Sequence, residues 1–87
     1  MYEAIIMPDL GQTTTRGTIV AWLIDEGASV ELGEPLLNVE TDKTELDVEA
    51  VAEGTLLKRM FPAGSEVESG TVIAYIGDPG DEIPEAG

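Results

Sequence analysis

Residues 17–40, GTIVAWLIDEGASVELGEPLLNVE, lie over residues 54–77, GTLLKRMFPAGSEVESGTVIAYIG, at a constant offset of 37 with no gap. Identities fall at Gly17/Gly54, Thr18/Thr55, Gly27/Gly64, Val30/Val67, Glu31/Glu68 and Gly33/Gly70. Apolar type is kept at Ile19/Leu56, Val20/Leu57, Leu23/Met60, Ile24/Phe61, Leu36/Ile73 and Val39/Ile76. The chain is therefore two copies of one unit, and two small copies bury their apolar faces by packing on each other. A two-fold pseudo-symmetric arrangement is the natural outcome.

Each copy reads as an apolar, β-branched run, a glycine turn, a short V-E segment, a second glycine turn and another apolar run. No stretch sustains helical spacing for more than a turn or two. Adding Tyr2 to Met7 as an opening strand and Leu46 to Val51 as its counterpart gives about eight short strands and an all-β sandwich or flattened barrel. Trp22 falls opposite Arg59 in the other copy, which predicts a half-buried structural role. From Gly77 the chain loses apolar periodicity and gains Pro, Gly and acid, so residues 1–78 are expected to form the domain and 79–87 to begin a linker.

Composition narrows the function. With 87 residues and four aromatics the core is thin and leaves little room for a pocket enclosing a substrate, which disfavours an enzyme acting alone. Cysteine and histidine are both absent, removing the thiolate nucleophile, the thiolate metal site and the usual general base. A net charge of −14 repels the phosphate backbone of nucleic acids and anionic membrane surfaces. No D-x-D-x-D-G calcium loop is present, and no metal is expected. No apolar run approaches a membrane span and the N-terminus lacks a basic, signal-like segment, so the expectation is a soluble, unsecreted protein.

One residue breaks the repeat in an informative way. Leu37, Val39 and Thr41 alternate on one side, and past a break Leu46, Val48 and Ala50 do so opposite Glu45, Asp47 and Glu49. Two strands meet at Asp42-Lys43, which suits the centre of a type I turn and puts Lys43 at a hairpin tip. In the second copy this pair maps onto Pro79-Gly80, so the lysine is singular in a duplicated frame. A Schiff-base lysine needs desolvation or a neighbouring cation, whereas the neighbours here are Glu40, Asp42 and Glu45. The chemistry left for this amine is attachment: acylation by another enzyme, then service as the tether of a group carrier.

At MPDLG (Met7 to Gly11), around VETDKTELDVEA, and in Gly27 and Gly54 placed sixteen residues before and eleven after Lys43, the chain resembles the lipoyl domains of the acyltransferase components of 2-oxo acid dehydrogenase complexes. The resemblance implies a flattened barrel of two four-stranded antiparallel sheets, with the lysine hairpin at one end and the termini at the other. It implies lipoate in amide linkage on Lys43, with Asp42 and Thr44 as turn flanks and Gly27 and Gly54 in positioning roles. The domain would be a non-catalytic swinging-arm carrier and a monomer in isolation. Its implied partners are a lipoate ligase or lipoyl transferase, a thiamine-dependent 2-oxo acid decarboxylase, an acyltransferase core and dihydrolipoamide dehydrogenase. A bacterial or archaeal cytoplasm is the expected setting, ahead of the mitochondrial matrix.

Three positions depart from that pattern. Ala28 stands where Asp is frequent, and Gln12 and Arg16 stand where acid is more usual, in a loop that in the family lies beside the lysine hairpin and serves decarboxylase recognition. Two alternatives remain at this stage. A biotin carrier shares the fold but has methionines flanking its lysine, and an unmodified barrel of the same shape would serve as an adaptor.

Overall fold

The computed structural model describes residues 2–10 and 15–83. Gln12 and the end of the expected linker, from Pro84 onward, lie outside these residues. Eight strands run in chain order: β1 (Tyr2–Ile6), β2 (Arg16–Trp22), β3 (Ser29–Val30), β4 (Pro35–Glu40), β5 (Glu45–Glu49), β6 (Gly54–Arg59), β7 (Glu66–Glu68) and β8 (Val72–Gly77). They form two antiparallel four-stranded sheets, ordered β1-β8-β6-β3 and β5-β4-β2-β7. This is the expected all-β arrangement.

The 37-residue offset turns one sheet into the other. It carries β2, β3 and β4 onto β6, β7 and β8, with β5 standing for β1, and the first strand order then becomes the second. Individual pairs follow the same rule. Gly17↔Val67 and Thr18↔Glu66 correspond to Gly54↔Val30 and Thr55↔Ser29. Ile19↔Val39 and Trp22↔Leu37 correspond to Leu56↔Ile76 and Arg59↔Ala74. Even a register shift is duplicated, between Ile19 and Ala21 in one copy and between Leu56 and Lys58 in the other. A bulge there re-aims the extra residue, and apolar Val20 is accordingly exposed. The turn glycines match too, with φ of 90° and 94° at Gly27 and Gly64.

The core lies between the sheets. Ile19, Leu36, Leu37, Val39, Leu56 and Ile73 are wholly buried, and no polar or charged side chain among the described residues is. Burying an aliphatic side chain of this kind contributes about 1.5–3 kcal/mol, so the interdigitated inner faces dominate the stability of so short a chain. Trp22 is half-buried as expected: its indole Nε1 donates to the Phe61 carbonyl at 2.9 Å, and the Arg59 guanidinium lies 5.7 Å from the ring centroid. Because Trp22 and Arg59 are repeat mates in contact, the two-fold passes between them.

That axis places the ends. From Trp22 the chain runs back along β2 to Arg16, beside the end of β4 and the hairpin that follows. From Arg59 it runs back along β6 to Gly54, beside Gly77, which pairs with Tyr2. The β4–β5 hairpin and the first and last strand ends therefore sit at opposite poles. Past Gly77 the chain turns at Asp78–Asp81, where the Asp78 N–H donates to the Asp81 carboxylate at 2.9 Å and holds that carboxyl below its ordinary value.

Candidate functional site

The ladder of β4 and β5 ends at Glu40↔Glu45, and Asp42 and Lys43 form the bend beyond it. Like charges directly opposite on a sheet repel, so the tip must be held in spite of its charge. Thr41 holds it. Its backbone N–H donates to the Thr44 carbonyl at 2.7 Å. Its Oγ1 accepts from the N–H of Lys43 at 3.2 Å and of Thr44 at 3.1 Å, and its hydroxyl donates to the Thr44 carbonyl at 3.1 Å.

This arrangement explains how a two-residue loop closes without glycine. Such hairpins usually take primed turns needing positive φ, yet among the described residues only glycines have positive φ. Negative φ at Asp42 and Lys43 excludes types I′, II′ and II and agrees with the expected type I turn. The threonine hydroxyl supplies an acceptor from a side chain, a local bond that Ser and Thr form readily. Sequence reasoning assigned Thr41 only to a strand face. The signal was a threonine two residues before the tip lysine.

Asp42, Lys43 and Thr44 are brought together, all exposed, at this tip. Gly27 and Gly54 are not. The Gly27 N–H donates to the Leu56 carbonyl at 2.8 Å and Gly54 pairs with Val30, both in the other sheet. Any influence of these two on Lys43 passes through the fold. Below the tip, Asn38 and Asp47 face each other across the strands and bond through Nδ2 and Oδ1, fixing the register of the hairpin.

Arg16, Thr18, Glu40, Thr41, Asp42 and Glu66 line a shallow concavity of about 370 Å³ against the hairpin. Arg16 forks onto Glu66 at 3.2 Å and Glu68 at 3.3 Å. Exposed pairs of this sort contribute about 0–1 kcal/mol each, so their effect is to shape charge beside the tip more than to stabilise the fold.

Replacing Thr41 by valine keeps the shape and removes the hydroxyl. We expect a loss of about 1 kcal/mol, a melting temperature lower by roughly 4–8 °C, and faster amide hydrogen exchange at Lys43 and Thr44. Thr41→Ser should restore both. Unchanged exchange in the valine variant would show that the turn holds without the hydroxyl.

The arrangement offers a single amine on a fixed, protruding turn, accessible to an enzyme that must surround it. The sequence profile of the family described as biotin-requiring enzyme, the biotin/lipoyl family, matches residues 3–76. The mitochondrial protein X component of the pyruvate dehydrogenase complex of Chaetomium thermophilum is 44% identical over 82 residues, covering 93% of this chain and 19% of that protein. The dihydrolipoyllysine-residue acetyltransferase component of the same complex from Rhizobium meliloti is 40% identical over 83 residues, covering 94% and 19%. The chain thus spans about a fifth of the length of these curated relatives. Among solved structures, the lipoyl domain of the 2-oxoglutarate dehydrogenase complex of Azotobacter vinelandii superimposes with a TM-score of 0.67 at 26% identity, over 88% of this chain and all of that one.

Proposed function

The chain is a carrier domain of the biotin/lipoyl family, and we propose that Lys43 bears lipoate in amide linkage as the swinging arm of a 2-oxo acid dehydrogenase complex. The observation that carries this reading is the exposed lysine on the threonine-locked hairpin tip, a residue with no lysine counterpart in the second copy of the repeat. The residues present fit such a group: a primary amine on a two-residue loop whose Asp42, Lys43 and Thr44 are all exposed. Lys43 Nζ would hold lipoate in amide linkage, and the group would supply a disulfide open to reductive acylation and thioester transfer, the chemistry on which a thiamine-dependent decarboxylase, an acyltransferase site for coenzyme A and dihydrolipoamide dehydrogenase would draw.

This chain's own residues position and present. Thr41 fixes the direction of the Lys43 backbone, and the two sheets below prevent the tip from folding into the body of the domain. The face bearing Arg16, Glu66 and Asp42 adjoins the tip and is the surface that a lipoate ligase or lipoyl transferase, and then the decarboxylase, would meet. The family's description leaves biotin as a rival cargo, but the flanks of Lys43 are Asp42 and Thr44 where a biotin carrier has methionines.

Incubation with lipoate, ATP and lipoate ligase should raise the intact mass by one lipoyl group, and peptide mapping should place it on Lys43. Lys58 should stay unmodified, because it lies within β6, its backbone paired with Tyr75 in a sheet and not at a hairpin tip. A lipoyl group on Lys58, or modification surviving in Lys43→Ala, would overturn the assignment. Biotin and its ligase should give no addition.

A further inference from the structure

The edge strand of one sheet, β1, lies beside the edge strand of the other, β5, and a groove of about 550 Å³ runs between them. Ile6, Pro8, Leu46, Val48 and Val51 give it apolar walls. Ile6 and Val51 are 51% and 66% exposed, large values for aliphatic side chains that line one groove of a small domain. Asp9, Asp47 and Glu49 form its rim, and all three are exposed. The volume is within the range of small-molecule sites, about 300–1,000 Å³.

The rim disfavours acidic occupants. A second copy of this chain brings a net charge of −14, and the tail carries Asp78, Asp81, Glu82 and Glu85, so neither suits an acid-rimmed groove. A neutral apolar chain does. Leu46 stands at the hairpin end of the groove, three residues from Lys43 or about 10 Å at the rise of a strand, and Ile6 and Pro8 lie at the end of β1 away from Tyr2 and Gly77, whereas Val51 marks the far end. The distance to Leu46 is within the span of a lysine side chain extended by a medium-length acyl chain.

We propose that the β1–β5 groove is a resting seat for the neutral acyl arm attached to Lys43. The inference rests on the lipoate reading above, and the tether makes a weak site sufficient. A short flexible link gives an effective concentration of about a millimolar, so a seat with a dissociation constant of about a millimolar is filled roughly half of the time. Such an arm stays available to partner enzymes while its apolar end spends part of its time out of water.

Two arms test it. In the first, the lipoylated and unlipoylated domains are compared by NMR once intact mass has confirmed the modification. Shifts are expected at Ile6 and Val48 as well as at the tip, and they should vanish at Val48 in Ile6→Asp, a substitution at an exposed residue that leaves Lys43 in place. In the second, Lys43→Cys is alkylated with an N-octyl iodoacetamide reagent, which labels one position because the chain has no cysteine. This puts an apolar arm at the tip without any ligase. The same groove shifts are expected. Shifts confined to residues 40–46 with both arms would overturn the seat, whereas failure of lipoylation together with groove shifts from the octyl arm would overturn the lipoate reading and leave the seat standing.

Discussion

Replacing Gly54 by alanine is expected to lower the melting temperature by roughly 10–45 °C while leaving the lysine tip intact. Gly54 has φ of 149°, and a Cβ built on it would stand 2.8 Å from the Gly77 carbonyl oxygen. That oxygen is backbone in the centre of a sheet and has no rotamer to escape into. Strain at such a φ costs about 1–3 kcal/mol, and forcing β6 from β8 adds about 1–3 kcal/mol of overpacking. The sum is a large share of the roughly 5–15 kcal/mol that holds a small domain together, and each kcal/mol moves the melting point of a chain this size by about 4–8 °C. Its repeat mate Gly17 meets side chains instead, Val39 Cγ1 at 2.5 Å and Leu10 Cδ1 at 3.0 Å, and has no positive φ. Gly17→Ala should therefore cost less than Gly54→Ala. Thermal unfolding by circular dichroism decides both, and a Gly54→Ala melting point within a few degrees of wild type would show that β8 moves aside freely. Below its melting point the Gly54 variant should be lipoylated at the normal rate, since Gly54 lies at the pole away from Lys43.

The contrast between these two glycines shows what the repeat could and could not convey. Matching Gly17 with Gly54 and Val39 with Ile76 conveyed about eight strands and the two-fold, because a gapless offset makes each contact in one copy recur in the other, whereas the division into two four-stranded sheets was implied only by the family resemblance. The match predicted the half-buried Trp22 for the same reason. It did not separate a glycine required by its own backbone from one required by its neighbours, since both look alike in sequence. The bulge at Val20 was hidden because an apolar run reads the same whether or not one residue is squeezed outward. Thr41 was hidden because its strand alternation masked the hydroxyl's second use in the turn. The groove between β1 and β5 was out of reach, as neither strand belongs to the gapless overlap and their juxtaposition depends on how the two sheets meet. Local pattern fixed the position of Lys43, and long-range packing fixed what surrounds it.

Because that position is set by the turn, exchanging its two residues should abolish modification without unfolding the domain. Asp42→Lys combined with Lys43→Asp keeps composition and the net charge of −14, and leaves Glu40 and Glu45 where they are. The fold should survive, since neither position needs positive φ and the bonds to Thr41 Oγ1 come from backbone N–H groups at positions 43 and 44, which any residue but proline supplies. The amine, however, moves one place around the bend and leaves in a different direction from the sheet. Acyl transfer from an activated lipoate depends on the amine meeting the carbonyl in line. Correct placement of reacting groups is worth about 7–11 kcal/mol in favourable cases, and a displacement of about 1 Å can cost roughly 100-fold in rate. A ligase that reads only an acidic surface carrying one lysine would see no difference between the two proteins. One that docks on the threonine-locked hairpin and reaches for its tip would find aspartate where the amine belongs. We expect the exchanged variant to show the wild-type circular dichroism spectrum and melting point within a few degrees, and to be lipoylated at least about 100-fold more slowly, read as intact mass against time with ligase, ATP and lipoate. Modification of the folded variant at the wild-type rate would show that surrounding charge, and not the position of the amine on the turn, selects this lysine.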